Sequence, residues 1–134
     1  MSGFLNQYNE FVNGVTSAPS KDFDAFIARL TELHEQGADI QRLMTASAGM
    51  SAEAGEFTEV VKKIVFQGKP YNEDNIFHMK RELGDVCWYL AQAIMALGLD
   101  PYEVYEENVR KLEARYPGGS FEITRSEHRK EGDL

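Results

Sequence analysis

Apolar positions recur along this chain with the spacing of helices, and no convincing alternation of the kind that marks a half-buried strand is present. Residues 4–15 form a short helix with Phe4, Tyr8, Phe11 and Val12 on one face. Gly14 and the stretch 16–20, with Pro19, interrupt it. Asp22 then caps a helix carrying Phe23, Phe26, Ile27, Leu30 and Leu33, and Gly37 ends that helix. Asp39 opens a longer one with Ile40, Leu43, Met44, Met50, Ala54, Phe57, Val60, Val61 and Ile64 on its apolar side, stopped by Gly68 and Pro70. A polar loop leads to Asn75. The next helix runs to about Leu97 with Ile76, Met79, Leu83, Val86, Leu90 and Ile94 as its stripe. Asp100-Pro101 starts a further helix, and Glu103 stands where it completes a capping box. That helix carries Tyr102, Tyr105, Val109 and Leu112 and ends near Tyr116-Pro117-Gly118-Gly119. Residues 120–134 are polar and aperiodic and read as an extended tail or arm.

Three or four amphipathic helices with short connections make an all-α chain, a helical bundle. A bundle this small often completes its core with a second copy of itself. The length, 134 residues, fits one domain spanning 1–134.

Charge narrows the partners. The net charge is −8, which opposes binding to a nucleic-acid backbone, because that depends on Lys and Arg. It leaves a small phosphorylated substrate open if a divalent metal supplies positive charge. Cys87 is the single cysteine, so no intrachain disulfide forms and a reducing compartment, the cytoplasm, is expected. Its surroundings read as small core packing. No stretch approaches a membrane span, and the first ten residues do not read as a secretion signal.

The chemistry lies in two acidic pairs, Glu53 with Glu56 and Glu82 with Asp85. Each pair is spaced i, i+3, so both members project from one side of a helix. With Glu53 set to zero on a helical wheel, Val60 falls about 20° to one side and Ile64 about 20° to the other, whereas Glu56 lies about 60° away. With Glu82 at zero, Tyr89 falls about 20° away, Val86 about 40°, and Asp85 about 60°. Each helix therefore directs one carboxylate toward the core and a second to the margin. Most such spacings belong to solvated faces. Here both pairs sit at an apolar edge and both adjoin a glycine, Gly55 or Gly84, which a helix tolerates for close approach of another helix or a ligand. An inward carboxylate needs a cation, and neither helix offers an inward Lys or Arg. Four carboxylates converging in a bundle suit a hard cation such as Mg²⁺.

Other chemistries find less support. Redox di-iron bundles need Glu-x-x-His, and the positions three before His34, His78 and His128 are Thr31, Asn75 and Arg125. No Gly-rich phosphate loop of the GxxxxGK[ST] type occurs. His78, four before Glu82, can face the same site, although a surface position is the commoner fate of such a residue.

These residues resemble the MazG-like nucleotide pyrophosphohydrolases of the all-α NTP pyrophosphatase superfamily, whose motif is ExxE followed by ExxD. The resemblance continues through Glu82-Leu83-Gly84-Asp85-Val86-Cys87-Trp88-Tyr89-Leu90, Leu97-Gly98-Leu99-Asp100, Asn108-Val109-Arg110-Lys111-Leu112 and Arg115-Tyr116-Pro117, and covers about 40–119. It implies Mg²⁺, with Mn²⁺ as a substitute, on Glu53, Glu56, Glu82 and Asp85, which are also the catalytic groups. It implies that Asn108 and Lys111 meet the substrate phosphates, with Lys63 and Arg115 as further candidates. Trp88 or Tyr89 can line a base pocket, with core packing as the plainer role of both. The implied reaction is hydrolysis of a (d)NTP at the α–β linkage to (d)NMP and pyrophosphate, by a homodimer or homotetramer. Many relatives carry a histidine upstream of ExxE, near Thr45 of this chain. A narrower substrate (dUTP, dCTP or phosphoribosyl-ATP) and a catalytically silent interaction module are the alternatives.

Overall fold

The computed structural model describes residues 2–128, which form seven helices and no strand. The all-α expectation holds. The chain divides into two compact units, one ending at Gln41 and one beginning at Arg42.

The first unit contains α1 (Ser2–Val15), α2 (Ala18–Lys21) and α3 (Phe23–Glu35). The stretch around Pro19 does interrupt α1, but it is itself a short helical turn with the proline in its first turn, where a missing N–H costs nothing. Asp22 caps α3 by accepting from the Ala25 N–H at 2.8 Å. Gly37, at φ +90°, closes it with a left-handed residue that any side chain would strain.

The second unit is built on two long helices, α4 (Ile40–Phe66) and α5 (Glu73–Ala96), followed by α6 (Pro101–Arg115) and α7 (Ile123–Glu127). The connection between α4 and α5 is anchored by two asparagines. Asn72 caps α5 by accepting from the Asn75 N–H at 3.1 Å. Asn75 is buried, and its Nδ2 donates to the Pro70 carbonyl at 2.6 Å. The helix thus begins at Glu73, a little earlier than its apolar stripe indicates, because the cap precedes the first core position. Asp100 caps α6 with the full capping box, Glu103 reaching back to the Asp100 N–H. The tail is not wholly extended, since 123–127 form α7; residues 129–134 of the expected arm lie outside the described residues.

Three contacts set the register of α4 on α5. Arg42 donates to Gln92 Oε1 at 2.9 Å, Gly49 lies under the ring of Tyr89, and Glu53 meets Glu82. As α4 runs forward from 42 to 53, its partners on α5 run back from 92 to 82. The two helices are therefore antiparallel, which is what a short connection demands.

Burial is sparse. Among the described residues the buried apolar side chains are Ala46, Val60 and Ile94. Leu83 is 50% exposed, and Met44, Ile76, Val109 and Leu112 are exposed as well. The apolar stripes read from the sequence are present, but much of their surface is exposed among the described residues.

Candidate metal centre

The site rests on the middle turns of α4 and α5. Glu53 is half-buried on α4, and Glu82 and Asp85 stand one turn apart on α5. One carboxylate oxygen from each of the three lies within 4.8 Å of the other two. The inward positions, Glu53 and Glu82, are the less exposed; the marginal ones, Glu56 and Asp85, are exposed. The wheel's division into inward and marginal carboxylates is what the structure shows.

Glu56 is separate from the trio. It is not one of the three mutually close carboxylates, although its charge acts on Glu53. Partial burial raises the Glu53 carboxyl above the ordinary glutamate value, and the charges of Asp85, Glu82 and Glu56 push it the same way. A hydrogen bond with Glu82 adds to the effect. All the charges named there are negative. Such a group is under-neutralised, and three converging carboxylate donors fit a hard divalent cation.

Close helix packing holds the trio in place. A Cβ on Gly49 would stand 2.1 Å from two carbons of the Tyr89 ring, so only glycine permits α5 to approach α4 at that height. Gly49 lies one turn before Glu53, and Tyr89 one turn after Asp85. By contrast, nothing within 4 Å would meet a Cβ on Gly55 or Gly84. Among the described residues the close approach expected at those two glycines is not made; it is made at Gly49, whose place one turn before Glu53 was the available signal.

The remaining candidates are spread more widely. Asn108 and Lys111 lie three apart on α6, and no hydrogen bond or ion pair joins either to the carboxylates. Lys63 pairs with Glu59 at 3.3 Å near the end of α4, beside a Lys62–Glu59 pair at 2.5 Å. Arg115 occupies the last turn of α6. Trp88 is 55% exposed and meets Tyr89 edge-on, with ring centroids 4.8 Å apart. Core packing therefore describes Tyr89 but not Trp88. Cys87 is exposed too, and so is not core packing among the described residues. His78 does face the site: its Nε2 is 2.9 Å from Glu82 Oε1.

The MazG nucleotide pyrophosphohydrolase domain profile matches residues 41–120, which takes in α4, α5 and α6. The chain is also similar to the gene 37 protein of Mycobacterium phage L5, 35% identical over 81 residues that span 60% of this chain and 71% of that protein. No solved structure matches.

Proposed function

The chain belongs to the MazG nucleotide pyrophosphohydrolase domain family, and from that premise we propose that it hydrolyses a nucleoside or deoxynucleoside triphosphate at the α–β linkage, giving the monophosphate and pyrophosphate with Mg²⁺. The observation that carries the reading is the convergence of Glu53, Glu82 and Asp85 within 4.8 Å on two helices that the family profile spans.

Phosphoryl transfer depends on positioning and charge neutralisation more than on covalent help. Glu53, Glu82 and Asp85 would hold the ion, with Mn²⁺ able to replace Mg²⁺. Such a cation, when bound, offsets triphosphate charge and acidifies water. Glu56 is exposed beside the trio and free of it, so it accepts the proton of the attacking water. Pyrophosphate then departs from the α-phosphorus. Lys111 and Asn108 orient the phosphates, assisted by Arg115 and by Lys63 once it leaves Glu59. The exposed face of Trp88 offers a stacking surface for the base.

The uncovered apolar stripes of α5 and α6 favour a homodimer or homotetramer. Sedimentation equilibrium would then return two or four times the chain mass of 15.2 kDa, and a monomer at micromolar concentration would exclude this assembly.

The reaction is tested by incubating the protein with each common NTP and dNTP, in Mg²⁺ and then in EDTA, and resolving the products. Monophosphate plus pyrophosphate, formed only with metal, is the expected result. Diphosphate plus phosphate would overturn the cleavage site.

A further inference from the structure

We infer that His78 is a positioning residue that orients Glu82 within the carboxylate trio, an inference that rests on the metal-site reading above. Nε2 of His78 lies 2.9 Å from Oε1 of Glu82, four residues along the same helix. The spacing i, i+4 puts the ring directly over the carboxylate. The Glu82 side chain is only 13% exposed, whereas that of His78 is 47% exposed. A glutamate has enough rotatable bonds to swing its carboxylate away from a site. A ring N–H on one oxygen restricts that swing and holds the carboxylate beside Glu53 and Asp85.

His78 does not belong to the set of mutually close ligand atoms, which is Glu53, Glu82 and Asp85. It is therefore placed to hold a ligand and not to act as one. Partners of this outer kind are as much a part of a metal site as the ligands themselves. The His78 ring is 47% exposed, and an ion pair or hydrogen bond with one partner largely in water does little for stability. That leaves orientation of Glu82 as what the contact provides.

The test measures Mn²⁺ binding to the metal-free chain by electron paramagnetic resonance, for the wild type and for H78A, H78Q and E53Q, with circular dichroism to confirm helicity. The amide of H78Q can still donate to Glu82, whereas H78A cannot. The expected result is a loss of about 10- to 100-fold in Mn²⁺ affinity for H78A, largely restored in H78Q. E53Q should bind more weakly still. Wild-type affinity in H78A, with E53Q impaired, overturns the role of His78 alone and leaves the metal site standing. A loss in H78A that H78Q does not restore also overturns it, because ring bulk and not the N–H would then matter. If E53Q binds Mn²⁺ as the wild type does, the metal-site reading and this inference fall together.

Discussion

The ring of Tyr89 lies so close to Gly49 that a single added methyl would stand 2.1 Å from two of its carbons. This contact fixes how closely α5 approaches α4, with Glu53 one turn from Gly49 on α4 and Asp85 one turn from Tyr89 on α5. The G49A variant therefore tests whether helix spacing sets the site. Overpacking of this kind costs about 1–3 kcal/mol, and alanine returns about 1 kcal/mol of helix propensity, so a net loss of about 1 kcal/mol is expected. Urea denaturation should show it, together with weaker divalent-cation binding. A variant that unfolds at the wild-type midpoint and binds metal equally well would show that the contact is incidental.

The opposite is expected at the other two glycines. Gly55 and Gly84 sit in helix interiors where, among the described residues, no other group would lie within 4 Å of a Cβ. Alanine at either position should raise stability by roughly 0.5–1 kcal/mol. If turnover falls while stability rises, the cleared surface serves a substrate or a second copy. Unchanged turnover in both variants would leave these glycines without a functional role.

The contrast among the three glycines shows where sequence reasoning ends. Caps are local, so Asp22, Asp100 and Glu103 announced their helices correctly, and the periods of the two acidic pairs separated inward from marginal carboxylates. Periodicity also says which face is apolar, but not whether anything covers it. For that reason Cys87 and Trp88 read as core packing and are exposed. A glycine in a helix likewise signals an opportunity for close approach without naming the neighbour: Gly49 has one and Gly55 has none. The separation of Glu56 from the trio depends on side-chain geometry across two helices, which spacing along one helix cannot supply.

Acidity gives a third prediction. Burial and three neighbouring carboxylates raise the Glu53 carboxyl above its value in the unfolded chain. The folded state thus binds that proton more tightly. Its stabilising contribution is complete below the unfolded value and is lost as pH rises through the raised folded value. At neutral pH the ionised group opposes folding of the metal-free chain. E53Q should therefore melt higher than the wild type in EDTA at pH 7, and the gap should close in mild acid. Added Mg²⁺ should raise the wild-type melting temperature and leave that of E53Q nearly unmoved. A metal-free E53Q that melts lower than the wild type at pH 7 contradicts this account of the charge cluster.

Glu56 separates metal binding from catalysis. Its carboxylate is exposed and stands outside the mutually close trio, so removing its charge should spare the ion. A positioned general base typically contributes about 10²–10⁴ in rate. E56Q should lose that much in kcat, while helicity and Mn²⁺ affinity stay near wild type. Loss of Mn²⁺ binding in E56Q would instead make Glu56 a fourth ligand, as the family resemblance implies, and the proton would then need another acceptor. Wild-type turnover in E56Q would remove it from the chemistry altogether. The three results are distinct because affinity and rate are measured on the same variant, and only a fall in rate at unchanged affinity is what a base standing beside the metal produces.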